Sequence, residues 1–371
     1  MSLELGDAAS TPTAPSTTPS PGRRKGNRAA GMADVAKLAQ VSHQTVSRVL
    51  NSHPSVRPVT RERVLAAMAE LDYRPNRLAR ALVTSRSGQI GVLTSGSAKF
   101  GPMSALMAVE EAARRAGYAV NVATVRESEL EGEESSHGIH QVLNAFDQQA
   151  VEAVVVIAPR VSAVALLADI GSRAPLLLVA SGVEPTDRFD VVSVDQVLGA
   201  RLVTRHLIDQ GNRVIGHLAG PSDWFDARQR RVGWESELAA AGLPLGPVWE
   251  GDWSADAGFA RGQELVASGD LPDAIVAAND QMALGLLRAF GEAGIEVPGR
   301  VSVTGFDDIE GTAHFQPPLT TVHQDFDALG EAVMRALARQ IGPAGVRDDA
   351  GNDRTPPIAP ELVVRSSTRA R

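Results

Sequence analysis

The sequence predicts two folds in one chain: a small all-α module near the N-terminus and, behind it, an α/β body of two lobes, each built on a doubly wound parallel sheet. Three observations carry this. Apolar residues recur at helical spacing from Met32 to about Val83, and from Gln89 they give way to short β-rich runs. Those runs then alternate with Ala-rich segments of helical length to the end of the chain, the alternation that builds parallel sheets. Charge divides at the same place: residues 32–86 hold nine Lys and Arg against four Asp and Glu, whereas the chain as a whole carries −8. A small basic module on a large acidic body points to a polyanion at one end.

Composition narrows the rest. The 371 residues are 43 % hydrophobic and 22 % charged, enough for two or three domains with buried cores. Cysteine is absent, so there is no disulfide framework and no thiolate metal site, which fits a reducing compartment. No apolar run approaches the ~20 residues that span a bilayer. Residues 1–31 are rich in Ser, Thr, Pro and Ala and lack the apolar core of a secretory signal, so they are expected to form a disordered leader. Its Arg23, Arg24, Lys25 and Arg28 form a solvated basic cluster within reach of DNA.

Taken in order, Val35, Leu38 and Ala39 mark a first short helix from about Met32. Ser42 is the expected N-cap of a second helix, whose inward stripe is Val46, Val49 and Leu50. Two short helices on a tight turn make a helix-turn-helix, whose second helix enters the DNA major groove. The outward face of that helix carries His43, Gln44, Thr45, Ser47, Arg48 and Asn51. Hydroxyl, amide, imidazole and guanidinium groups are poor choices for an idle helix surface and good ones for base edges and phosphates. A third helix is expected from Thr60 as N-cap, burying Val64, Met68 and Leu71 before Tyr73 and Pro75 stop it. Residues 32–75 therefore form the DNA-binding module, and Asn76–Val83, with Leu78, Ala79 and Leu82 on one face, form a short helix within a linker spanning 76–87.

In the body (88–371), the expected strands are QIGVLTS (89–95), YAVNVATV (118–125), AVVVIAP (153–159), PLLLVAS (175–181), VVSVD (191–195), VIGHLAG (214–220), DAIVAAND (273–280) and VSVTGFDD (301–308). Runs apolar on both faces suit buried parallel strands. Ligands of such folds sit beyond the carboxyl ends of the strands, which carry Ser95, Asn279–Asp280 and Asp307–Asp308. A neutral sugar needs planar polar groups for its hydroxyls and an aromatic ring against its apolar face. Asp307, Asn279 and Arg230 meet the first need; Trp253 and Phe326 meet the second. Catalytic signatures are missing: there is no GxSxG and no P-loop, and His137 and His140, near Glu133 and Glu134 in a loop-like acidic stretch, make a weak metal site. Neither an enzyme nor a cofactor is expected.

The stretches MADVAKLAQVSHQTVSRVLN and VRPVTRERVLAAMAELDYRPNRLARALVTSRS, with the chain beyond them, resemble the lactose/galactose repressor family of bacterial transcription regulators. The similarity runs from about Met32 to the C-terminus. EGDWSADAGF, AANDQMALG and PPLTTVHQDF look closest to the family's lactose branch, closer than to its purine or ribose branches. The resemblance implies a two-lobed effector body of the periplasmic-binding-protein kind, operator DNA and a sugar or glycoside as partners, and a cytoplasmic homodimer. It implies that His43, Gln44 and Arg48 read bases, that Asn76–Val83 is a hinge helix folding on DNA, and that Leu82 wedges between base pairs from the minor groove. In the body it implies that Arg230, Asn279 and Asp307 bind hydroxyls, that Trp253 and Phe326 line the pocket with Gln324 ordering it, and that Ser95 and Pro102 lie near the aglycone.

Departures from the pattern matter too. His43 replaces a tyrosine, Gln40 a usual turn glycine and Gly31 a hydroxyl cap. Ala180 stands where the lactose branch has an aspartate that contacts inducer, and Ile157 where it has an asparagine, so the hydroxyls recognised should differ and β-galactoside is only the first guess. The ending PELVVRSSTRAR lacks a Leu-heptad helix, so a dimer rather than a tetramer is expected. The leading function is thus a repressor released by a sugar. Its rivals are a transport-type sugar-binding protein, a corepressor-dependent regulator of the same family and a sugar-acting enzyme.

Overall fold

The computed structural model describes residues 30–50, 55–73, 86–125, 135–162, 172–341 and 354–369. They fall into two compact units, divided between Arg80 and Ala81. Asn51, Asn76 and Leu82, with the segment 76–83 read as a hinge helix, lie outside the described residues, as do Glu133, Glu134 and the side chain of His137.

The N-terminal unit contains α1 (Met32–Leu38), α2 (His43–Leu50) and α3 (Pro58–Glu70). Val35, Ala36, Ala39, Val46, Val49, Val64 and Ala67 are buried against one another, so each helix gives one stripe to a common core. The Asp34 carboxylate accepts from the Gly31 N–H at 2.8 Å, closing the start of α1 without a hydroxyl cap. Between α1 and α2 the chain turns through Gln40 at φ +52°, a left-handed conformation usually given to glycine. Ser42 caps α2 as expected, its Oγ accepting from the Thr45 N–H at 3.1 Å. Helix α3 corrects the sequence reading. Its N-cap is Arg57 and Pro58 occupies the first helical position, so Thr60 lies inside the first turn. Proline has no N–H to leave unpaired there and its fixed φ already suits the helix.

The second unit holds two parallel sheets. Strands β1 (Gln89–Thr94), β2 (Ala119–Thr124), β3 (Ala153–Ile157), β4 (Leu176–Val179) and β5 (Phe189–Val192) form one sheet in the order β2-β1-β3-β4-β5. Strands β6 (Ile215–Ala219), β7 (Val248–Glu250), β8 (Ala274–Ala277) and β9 (Ser302–Thr304) form the other as β7-β6-β8-β9. Every residue of β3, β6, β8 and β9 is buried, which is why these runs are apolar on both faces. Helices α4 (Phe100–Arg115) and α5 (Ser135–Gln148) belong to the first lobe, and α6 (Gln196–Asp209), α7 (Phe225–Ala240), α8 (Ala255–Ser268) and α9 (Asp280–Glu292) to the second. His137 and His140 therefore lie within a helix, not a loop, because Ile139, Leu143 and Phe146 recur at helical spacing and bury against the first sheet. Among the described residues no group of His, Asp and Glu is placed to hold a metal ion, and no helix is long and apolar enough to cross a membrane.

Among the described residues the chain passes between the lobes at three places. It leaves the first after β5, entering α6 at Gln196. It returns after β10 (Thr321–His323) into α10 (Phe326–Ile341), which packs on α4 so closely that a Cβ at Gly330 would lie 2.4 Å from the Ala108 carbonyl oxygen. The last crossing passes Ile358, whose N–H donates to the Ser193 carbonyl at 2.8 Å, before β11 (Glu361–Val363) pairs antiparallel with β10.

Candidate functional site

On α2, the residues expected to face DNA do face outward. His43, Gln44 and Arg48 are exposed, and Thr45 and Ser47 are half-buried, opposite the core residues Val46 and Val49. The Thr45 hydroxyl lies 2.9 Å from the Ser42 hydroxyl, so the cap also orients the Thr45 side chain. An Arg61 Nη1–H donates to the Val49 carbonyl at 3.5 Å, where a cation suits the C-terminal end of a helix.

In the body, the strand ends bring four side chains into a closed ring. Arg230 Nε donates to Gln196 Oε1 (2.9 Å), Gln196 Nε2 to Gln324 Oε1 (2.7 Å) and Gln324 Nε2 to Asp307 Oδ1 (2.8 Å). The Asp307 Oδ1 pairs with Arg230 Nη2 at 3.1 Å, which completes the circuit. All four residues are at most 6 % exposed. Arg230 also donates to the Ala278 carbonyl at the end of β8, and its guanidinium lies 3.8 Å from the Phe306 ring centre and 5.6 Å from that of Trp253. Gln196 and Gln324 come from two of the three lobe crossings, so the ring ties the crossings to the second lobe.

Both ring bonds to Asp307 end on Oδ1, and Oδ2 accepts from no described residue. Burial holds the Asp307 carboxyl up at about 6; Arg230 draws it back down, Asp226 pushes it further up, and the Gln324 amide opposes the rise. An ion pair and a raised pKa coexist because the loss of water outweighs one guanidinium.

Asn279 reaches the same place but spends its polar atoms internally. Its Oδ1 caps α9, accepting from the Met282 N–H at 2.9 Å, and its Nδ2 donates to the Trp253 carbonyl at 3.0 Å. Trp253 is buried at φ +72° and meets Trp224 edge-on at 5.5 Å. A Cβ at Gly220, at the end of β6, would lie 2.2 Å from its indole, so only glycine lets the ring seat there. Asp307 and Asp308 also have positive φ, at +106° and +53°. Strained backbone of this kind collects where a site must hold its geometry.

Two pockets share Gly101, Pro102 and Asp226 in their walls. One, of about 30 Å³, is lined by Lys99, Trp224, Arg230, Trp253, Asn279 and Asp307 among others. The other, of about 50 Å³, is lined by Ile157, Ala180, Ser181, Gln196, Gln324 and Phe326 among others. Phe326 stands edge-on to Phe100 at 5.8 Å, joining the start of α10 to that of α4. Ser95 is buried with an unpartnered Oγ but lines neither pocket. Sequence reasoning missed Gln196, Ser181, Trp224 and Asp226. All follow the ends of strands, so the strand-end rule applied after β4, β5 and β6 would have found them.

Residues 31–76 match the model of bacterial regulatory proteins of the lacI family, and residues 204–368 match a periplasmic binding protein-like domain. The lactose operon repressor of Escherichia coli K12 is 38 % identical over 84 % of this chain and 85 % of its own length. The chain belongs to the lacI family. The HTH-type transcriptional repressor PurR of Photobacterium profundum is 30 % identical over 91 % of this chain and 98 % of its own length. Among solved structures, a lac repressor dimer bound to operator and the anti-inducer ONPF superposes with a TM-score of 0.75 at 34 % identity, covering 92 % of this chain and all of the other. The regulator CelR in complex with cellobiose superposes at 0.62 and 29 % identity, covering 91 % and 99 %. This lacI-family member is a DNA-binding transcriptional repressor with an effector-binding body, and not an enzyme.

Proposed function

We propose that this repressor binds operator DNA as a cytoplasmic homodimer and is released by a neutral sugar or glycoside held between the lobes of residues 88–371. The ring of Arg230, Asp307, Gln324 and Gln196 carries the reading. It leaves one carboxylate oxygen for a hydroxyl, sets an indole beside it, and is built from two of the segments on which the lobes pivot. Trp253 and Phe326 supply apolar faces, Asn279 fixes Trp253, and Pro102 forms part of the opposite wall. The relatives solved with ONPF, ONPG and cellobiose support a glycoside as the class of effector. Ile157 and Ala180 line the pocket without polar groups, which favours a preference other than β-galactoside.

On the DNA side, residues 32–75 form the reading module, behind a leader of 1–31 and before a linker of 76–87. His43, Gln44 and Arg48 read bases, Thr45 reaches a phosphate, Ser47 and Asn51 share the DNA-facing surface, and Asn76 and Leu82 act from the linker. One such module reads only a half-site, so tight binding needs two-fold pairing.

A ligand that prefers one lobe arrangement shifts the population towards it, and operator DNA must then weaken that ligand by the same factor, typically about 5–150-fold. The test titrates the purified protein with neutral mono- and disaccharides, then measures operator affinity with and without the best binder. Asp307→Ala is expected to bind operator but no longer respond. A wild-type response in Asp307→Ala would put the effector elsewhere, and tighter DNA binding with sugar would make the protein corepressed.

A further inference from the structure

Besides the passages of chain, backbone hydrogen bonds join the two lobes. In the first lobe, residues 159–161 follow β3; in the second, residues 223–225 lead into α7. The two segments run antiparallel, with Arg160 opposite Trp224. The Val161 N–H donates to the Asp223 carbonyl at 3.0 Å, and the Phe225 N–H to the Pro159 carbonyl at 3.0 Å. Side chains reinforce this pairing. Arg160 Nη1 donates to Asp223 Oδ2 at 2.7 Å, and the guanidinium lies 5.8 Å from the Trp224 ring centre. Phe225 begins a second-lobe helix yet packs against the first-lobe core. Ser181, after β4, donates its hydroxyl to Asp226 Oδ1 at 2.5 Å, one residue further along α7. Pro159 lines one of the two pockets and Trp224 the other, whereas Arg160 and Asp223 line neither.

Resting on the sugar reading above, we propose that residues 159–161 and 223–225 form a latch between the lobes, one that parts as effector passes and whose opening the repressor needs in order to respond. The two backbone bonds flank a single residue pair, so a rotation of the lobes that breaks one breaks both. The latch therefore has two states rather than a continuous range. Both states are accessible. Arg160, Val161, Asp223 and Phe225 are half-buried, so water replaces each broken bond and the net cost of parting is small. The side chains of Arg160 and Asp223 are 21 % and 47 % exposed, so their ion pair adjusts the balance without fixing it. An effector seated against both lobes fits one state better than the other and shifts the population towards it. The latch is the element on which that shift is made.

The chain has no cysteine, so two introduced at the latch form the only disulfide available. Residues opposed as Arg160 and Trp224 are, between two backbone bonds rather than sharing them, have Cα atoms about 4.5 Å apart, within reach of a disulfide. The full chain carrying Arg160→Cys and Trp224→Cys is expected to cross-link under mild oxidation while folded, as read by mass spectrometry without any sugar. Operator affinity is then measured with a panel of neutral mono- and disaccharides that includes lactose and cellobiose, on wild type and on the oxidised and reduced variant. The oxidised form should bind operator equally with and without sugar, and reduction should restore the response. Because Trp224 lines a pocket, a second set of variants leaves both pockets untouched. Arg160→Asp and Asp223→Arg should each speed release of the best-binding sugar by about two- to fivefold in stopped-flow tryptophan fluorescence, and the double exchange should return the rate to that of wild type. Cysteines that do not cross-link in the folded protein, an oxidised form that responds as wild type does, or charge reversals that have no effect or are not rescued by the double exchange overturn the latch and leave the sugar reading standing. Failure of wild type to bind any sugar in the panel overturns the sugar reading, and the cross-linking then still judges the latch.

Discussion

Asp280 is a carboxyl that the body keeps protonated at neutral pH, and replacing it by asparagine should abolish a specific pH dependence of stability. It is the first residue of α9 and is fully buried. Thr321 Oγ1 lies 2.5 Å from Oδ1, the Ile309 N–H donates to Oδ2 at 2.9 Å, and no cation pairs with it among the described residues. Burial, with repulsion from Asp307 and Asp308, raises its pKa from 3.8 to about 8 against the two hydrogen bonds. An acid raised in this way favours folding while protonated, and that contribution is lost as pH climbs from about 4 towards 8. His217, held down at about 4 by burial, acts with the opposite sign below about 6.5, and Asp307, at about 6, is mostly ionised by pH 6.5. Between pH 6.5 and 9 the loss therefore belongs to Asp280 and should be on the order of 2 kcal/mol, at 1.36 kcal/mol per pH interval below the folded value. Asparagine keeps an acceptor for Ile309 and offers Thr321 a donor, so Asp280→Asn should match wild type at pH 6.5 within ~1 kcal/mol and exceed it by about 2 kcal/mol at pH 9. Urea unfolding followed by tryptophan fluorescence measures this, since Trp224, Trp234, Trp249 and Trp253 all lie in the body. A gap between the two proteins that stays the same at both pH values would refute the assignment. So would a loss of several kcal/mol at pH 6.5, which would mean that the fold needs the ionised form.

Arg230→Met should leave Asp307 an uncompensated buried carboxylate and cost about 3–5 kcal/mol at pH 8. That deficit should narrow by pH 5 as Asp307 takes up its proton; a deficit independent of pH would mean that packing on Phe306 is all that was lost. Gln40→Gly should relieve a left-handed turn and stabilise α1 and α2 by about 1 kcal/mol, read as slower amide hydrogen exchange there; unchanged or faster exchange would count against strain at that turn. Gln44→Ala should relax discrimination at one base position by roughly 1–3 kcal/mol in binding to a randomised half-site, and an intact preference at every position would remove Gln44 from base reading.

Most strands of the two sheets were legible because they are apolar without alternation, as where β3, β6, β8 and β9 are buried on both faces. Strands β7, β10 and β11 were not: each is three residues long and partly exposed, so neither alternation nor a continuous apolar run marks it. The start of α3 was misplaced because Thr60 looks like a cap, whereas Pro58 two residues earlier fixes the first turn. Of the cleft, Arg230, Asp307 and Gln324 were found through resemblance and strand ends. The partner that links them, Gln196, lies 128 residues from Gln324, and only the side-by-side run of two lobe crossings brings the amides within 2.7 Å. Asp226 was passed over for the basic run beside it, and its meeting with Ser181 across the lobes has no local signature.

The ring around Arg230 closes on itself. Its donors and acceptors answer one another, so the scaffold of the cleft does not depend on a guest for its own integrity. Ile157 and Ala180, the two apolar departures in the pocket wall, stand outside that ring and take no part in its hydrogen bonding. Substitutions there alter what is recognised while the pivot beneath remains sound. A protein built this way is expected to exchange its effector by a handful of replacements while keeping one switch.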